Sequence, residues 1–152
     1  ELKKEGCAFL LPVRIKRARL TNIDPIKSIT LDFGKFNIIV GSSTTGKTTI
    51  IRSIAYVFGH EFIKGYLSSK ATIELDVCTE KKYKISMESA NDKSNIKCIL
   101  IDGGGDRLNS GGFKKFLYYL KGLDIQVIIT ALALRENNLC KSAKIFCLSD
   151  RI

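Results

Sequence analysis

The chain has 152 residues, of which 45 % are hydrophobic and 26 % charged, with a formal net charge of +10. A domain of this size buries about 68–70 % of the surface its unfolded chain exposes, so one core and a single domain over residues 1–152 are expected. No apolar run approaches the ~18 residues of a membrane span, which argues against a spanning segment.

The N-terminal residues carry no leader with a small-residue cleavage site, although Cys7 to Val13 is a short apolar stretch after Lys3 and Lys4. A soluble, cytoplasmic protein is expected. The five cysteines (Cys7, Cys78, Cys98, Cys140, Cys147) form no Cys-x-x-Cys pair and mostly lie in apolar runs, so buried reduced thiols are expected. With one histidine, His60, there is little from which to build a zinc site. The positive charge fits an anionic partner: nucleic acid, acidic lipid or nucleotide.

In chain order, Arg14 to Leu20 and Ser28 to Phe33 read as two strands separated by a turn at Asn22-Ile23-Asp24-Pro25. The first holds the densest basic cluster, Arg14, Lys16, Arg17 and Arg19. Alternation along the strand would put Lys16 on one face and Arg17 and Arg19 on the other. A solvated strand face and a contact to a nucleic-acid phosphate backbone are both open readings of this cluster. Phe36 to Val40 is an almost wholly apolar, β-branched run, as in a strand buried on both faces of a parallel sheet. From Lys47 to Phe58 the apolar residues Ile50, Ile51, Ile54, Ala55 and Phe58 fall at helical spacing, leaving Lys47, Arg52 and Ser53 off the stripe, and Gly59 is a plausible C-cap.

Ala71 to Val77 and Lys82 to Met87 alternate apolar with polar residues and predict an antiparallel hairpin. A polar linker, Ala90 to Asn95, leads to a second buried strand, Ile96 to Ile101, which ends at Asp102 before the glycines 103–105. Phe113 to Leu120 predicts a helix, Asp124 to Thr130 a third buried strand, Ala131 to Leu139 a short helix and Ile145 to Leu148 a last strand. Strands alternating with helices imply an α/β fold with a mainly parallel sheet, and the hairpin an added antiparallel subdomain.

One motif carries chemistry. Gly41-Ser42-Ser43-Thr44-Thr45-Gly46-Lys47-Thr48 satisfies G-x-x-x-x-G-K-[ST] at every fixed position and lies between a buried strand and an amphipathic helix. Such a loop curls so that its backbone N–H groups face phosphates at the positive end of the helix. The expected ligand is a nucleoside triphosphate, ATP above others. Lys47 is expected to reach the β- and γ-phosphates and Thr48 to put its hydroxyl on Mg2+, with Thr49 next in line. Asp102, at the end of another buried strand, is the expected acidic anchor of the metal.

The order of these elements resembles the ATPase heads of the ABC superfamily, above all the chromosome-maintenance (SMC), RecF and RecN group. The resemblance rests on Arg17 to Ile23, Ile29 to Phe33, Phe36 to Val40 with its P-loop, the hairpin from Ala71 to Met87, Ile99 to Asp102, and Gln126 to Thr130. It implies a P-loop NTPase fold, use of ATP and Mg2+, and ATP sandwiched between two heads, with a second copy, a partner protein or DNA as partners.

Several of that group's catalytic groups have no counterpart. Gly103 stands where a water-polarising Glu follows the Walker B Asp, and the only glutamine, Gln126, lies too far along the chain to be the Q-loop residue. The segment from Glu88 to Asn95 is too short for a signature lobe or a coiled coil. Ser110-Gly111-Gly112 has signature-like letters but follows Asp102, and Ala131 and Leu132 replace the switch histidine. Loss of a catalytic base alone costs ~10²–10⁴-fold in rate, so nucleotide binding with slow hydrolysis is expected unless Asp106 folds back over the site. Two other readings stay open: an active ATPase completed by a partner chain, and a nucleic-acid-binding module with a vestigial nucleotide site.

Overall fold

A computed structural model describes residues 7–42, 45–60, 67–78, 96–103, 115, 118–119, 122, 124–132 and 143–148. The fold is mixed α/β and dominated by strands. In chain order it comprises β1 (Cys7–Leu11), β2 (Arg14–Ile23), β3 (Ile26–Asp32), β4 (Phe36–Val40), α1 (Lys47–Val57), β5 (Leu67–Cys78), β6 (Cys98–Asp102), β7 (Gln126–Ala131) and β8 (Lys144–Cys147).

Five strands form a mostly parallel sheet in the order β1-β6-β7-β4-β8. Strands β6, β7, β4 and β8 run parallel, and β1 closes one edge antiparallel to β6. The apolar runs 36–40, 98–102 and 126–131 form the interior of this sheet because every second side chain is needed on each face. Ile39, Cys98, Leu100 and Ile128 join the core shared with α1 and β2, whereas Ile38, Ile99, Ile101, Val127 and Ile129 form a second cluster.

The second sheet is antiparallel, in the order β3-β2-β5. The predicted arm Ala71 to Val77 is part of β5, which is longer than alternation suggested and pairs with β2, while the other arm, Lys82 to Met87, lies outside the described residues. Residues 70–78 of β5 alternate strictly between exposed and half-buried, so one face of this sheet meets the core and the other faces out.

Helix α1 packs against both sheets, touching β6 on one side and β2 and β5 on the other. This explains a departure from the predicted stripe: Ile50, Ile51, Ile54 and Ala55 are buried as expected, but Thr49, Ser53 and Lys47 are buried as well. A helix held between two layers has little face left for water. The helix is capped at Phe58 rather than at the expected Gly59, which follows it at φ 95 with its N–H donating to Tyr56 O at 3.0 Å.

One stretch without a predicted element is a strand, and three other expectations are corrected. The apolar stretch at Cys7 to Val13 contains strand β1, paired with β6 from Leu11↔Cys98 to Cys7↔Asp102. Ala131 belongs to β7 rather than to a following helix. Among the cysteines whose side chains are described, Cys78 and Cys147 are exposed and Cys98 is buried, its pKa pushed up by desolvation. Finally, Lys16 is the extra residue of a bulge, since Ile15 pairs with Val77 and Arg17 with Asp76. Residues 115, 118–119 and 122 have helical backbone, within and just beyond the predicted helix at 113–120. Among the described residues no helix is long and apolar enough to cross a membrane.

Candidate functional site

Parallel strands β4, β6 and β7 all end on the same side of the sheet. The chain leaves β4 at Gly41, whose N–H donates to Ala131 O at 3.1 Å, so the loop entering α1 starts from the end of β7. Open α/β sheets bind ligands in this position, outside the carboxyl ends of the strands.

The loop is tightly curled. Thr45 donates through both its N–H (3.2 Å) and its hydroxyl (2.7 Å) to Ser42 O. A β-carbon on Gly41 would lie 2.5 Å from Thr45 Oγ1, which leaves room only for glycine there. Gly46 sits at φ 98 as the N-cap of α1, with no side-chain cap and no acidic residue in the first turn. The first turn thus carries no carboxylate of its own to offset the positive end of the helix. Lys47 folds across the loop, its buried ammonium donating to Gly41 O and, at 2.9 Å, to Ser42 O. Ser43 and Thr44 lie outside the described residues. Thr49, expected beside the site, is buried and turns its hydroxyl to Asp24 O at 3.5 Å in the β2–β3 turn.

The two residues expected to hold a metal come together. Thr48 Oγ1 donates to Asp102 Oδ1 at 3.1 Å, from the first turn of α1 to the end of β6. Two adjacent ligands of octahedral Mg2+, each at about 2.0–2.1 Å, stand roughly 2.9 Å apart, so this pair of hard oxygens is spaced to share a Mg2+ ion or to anchor its water shell. Composition and spacing singled out neither of two further members. Thr130, fully buried at the end of β7, donates its hydroxyl to Asp102 Oδ1 at 3.1 Å and accepts the Gly103 N–H at 2.6 Å. The β2–β3 turn is the other, with Ile26 and Pro25 lying against Gly46.

Other singled-out residues lie elsewhere. Gln126 is buried at the opposite end of β7, where it holds both backbone groups of Ile15 and the carbonyl of Gly34, each at 2.8 Å. His60 packs edge-on against Phe9, with ring centroids 5.0 Å apart. Asp106 and Ser110-Gly111-Gly112 are outside the described residues.

The basic strand is largely paired. Arg17 binds Asp32 on β3, and this hydrogen bond holds the Asp32 carboxyl below the usual carboxylate range. Arg19 reaches Glu74 and Asp76 on β5, each at 3.4 Å. Arg14 lies 3.0 Å from Asp124, which also binds Lys35 at 2.6 Å. Lys16 is exposed at the bulge.

A family model described as an AAA domain matches residues 17–146, most of the chain. Neither the curated proteins nor the solved structures include a significant match. With a phosphate-loop lysine, a hydroxyl and a strand-end carboxylate gathered at the ends of the parallel strands, the chain belongs to the AAA-domain family of P-loop ATPases, which also occurs in SMC- and RecF-like proteins.

Proposed function

We propose that this chain binds ATP with Mg2+ through Gly41 to Thr48, hydrolyses it slowly, and uses its nucleotide state to control association with a second copy, a partner protein or DNA. The observation that carries the reading is the hydrogen bond of Thr48 to Asp102 at 3.1 Å, which joins the loop to the metal anchor across 54 positions of sequence. On this reading the backbone N–H groups of the loop, Ser42 to Gly46, and the N-terminus of α1 bind the phosphates. Lys47 turns from the Gly41 and Ser42 carbonyls to the terminal phosphates, where its charge offsets theirs. Thr48 and Asp102 would hold Mg2+, which when bound neutralises phosphate charge and orients the terminal phosphoryl group. Slow hydrolysis follows from Gly103, which brings no carboxylate to the position beside Asp102.

The test is binding of fluorescently labelled ATP, with and without Mg2+, beside single-turnover hydrolysis. Tight Mg2+-dependent binding with slow turnover is expected, and Lys47→Ala should abolish binding. Tight binding by Lys47→Ala would overturn the reading.

The net charge of +10 supports an anionic partner beyond the nucleotide. A nucleic-acid contact along Arg14, Lys16, Arg17 and Arg19 would compete with the carboxylates already facing the three arginines. DNA is therefore included as a separate arm of the binding test: salt-dependent DNA binding that ignores ATP would favour a nucleic-acid module, and rapid turnover on adding DNA or a partner would favour an ATPase completed from outside.

A further inference from the structure

Gly103 N–H can only donate, so where it meets Thr130 Oγ1 at 2.6 Å the hydroxyl must accept. The single Thr130 proton is thereby directed to Asp102 Oδ1, 3.1 Å away. The result is a one-way chain, Gly103 N–H to Thr130 O–H to Asp102 carboxylate, closed on itself by the Asp102-Gly103 peptide. It sits where β6 ends, with Gly103 at φ 85, and Thr130 is fully buried. Oδ1 thus accepts hydroxyls from both Thr48 and Thr130. Among the described residues, no hydrogen bond falls on Oδ2.

We propose that Thr130 is a positioning residue for the metal: it holds the Asp102 carboxylate in the orientation Mg2+ needs before the ion arrives, and at the same time sets the direction in which the chain leaves β6. The inference rests on the ATP–Mg2+ reading above. It differs from a purely structural role for Thr130 because the hydroxyl acts on the same oxygen as Thr48, the P-loop residue expected on the metal. Partners that orient a metal-binding carboxylate typically contribute about 10–100-fold to metal affinity, because the ligand otherwise has to be ordered when the metal binds.

Labelled ATP at fixed concentration is titrated with Mg2+, and separately bound in EDTA, for wild type, Thr130→Val and Thr130→Ser. Thr130→Val keeps the shape of the side chain and removes the hydroxyl. It is expected to raise the Mg2+ midpoint about tenfold or more while binding in EDTA stays at the wild-type level, and Thr130→Ser should restore the midpoint. Equal weakening with and without Mg2+, or an unchanged Mg2+ midpoint, would overturn the proposal. If Thr130→Val does not fold, Thr130→Ser carries the test: a folded serine variant with a displaced Mg2+ midpoint is inconsistent with a role that needs only the hydroxyl. Wild type that gains nothing from Mg2+ would instead remove the ATP–Mg2+ reading, and this inference with it. Thr130→Val failing alone leaves that reading standing.

Discussion

A β-carbon built on Gly46 would stand 2.9 Å from Cγ1 of Ile26, so the P-loop and the start of β3 touch with no space for a methyl group between them. Gly46 also has φ 98, a left-handed conformation that costs an L-residue about 1–2 kcal/mol. Gly59 provides the control, with a similar φ of 95 and nothing within 4 Å of its built β-carbon. Gly59→Ala is expected to cost only the backbone term. Gly46→Ala should cost more, because Ile26 or the loop must move, and it alone should impair ATP binding. Chemical denaturation and labelled-ATP titration of the two variants check this. Equal losses of stability with intact binding would mean that the contact with Ile26 yields freely.

Gln126 is the one glutamine, and its side chain is fully engaged far from the strand ends that carry Asp102 and Gly41. It accepts from Ile15 N–H and donates to Ile15 O and Gly34 O, pinning the start of β7 to β2 and to the turn before β4. Gln126→Ala removes the side-chain partner of the Ile15 N–H and carbonyl, at about 1–3 kcal/mol for each buried group left unsatisfied, while Gly34 O keeps the Asn37 amide at 2.8 Å. A clear fall in denaturation midpoint is expected, with an unchanged Mg2+ dependence of ATP binding in the protein that remains folded. A selective loss of Mg2+ dependence would instead give Gln126 a role at the nucleotide site.

The P-loop, its flanking strand and helix, and the strand-end Asp102 were readable because each has a strong local cause: fixed glycine spacing, a continuous apolar run and helical periodicity. Asp102 and Thr48 meet because β6 ends and α1 begins on one side of a parallel sheet, which the strand–helix alternation already implied. Other features depend on partners distant in sequence. Strand β1 has no alternation that distinguishes it from a short apolar stretch, and what makes it a strand is the β6 edge. Lys16 defeats the alternation rule because a single bulge residue turns the strand, leaving Ile15 inside and Arg17 outside. Thr130 reads as one more β-branched residue at a strand end. Only the placement of β7 between β4 and β6 brings its hydroxyl to Asp102. The exposure of Cys78 and Cys147 was likewise hidden, since a strand exposes one face however apolar its neighbours are in sequence.

The ion pairs that occupy the basic strand predict an acid-sensitive contribution to stability. Asp32 is held below its ordinary range first by its hydrogen bond from Arg17, and Asp124 by hydrogen bonds from Lys35 and then Arg14. Both carboxyls have lower pKa values folded than unfolded, where an Asp titrates near ~3.9. The unfolded chain therefore takes up protons first as pH falls. The stabilising contribution is complete above the unfolded value and is lost as pH drops through each folded value. Asp32→Asn and Asp124→Asn should flatten the acid limb of a stability–pH profile and change the pH dependence near neutrality little. Asp124 lies at φ 61, a conformation asparagine tolerates, so that substitution isolates the charge from the backbone. Because both sites are solvent-exposed, added salt should shrink the effect in wild type as screening grows. Urea denaturation between about pH 7 and pH 2 at low and high salt measures all of this. An acid limb identical in wild type and both variants would mean that these pairs contribute nothing to folding, and that the arginines of β2 are available to an anionic partner at little cost.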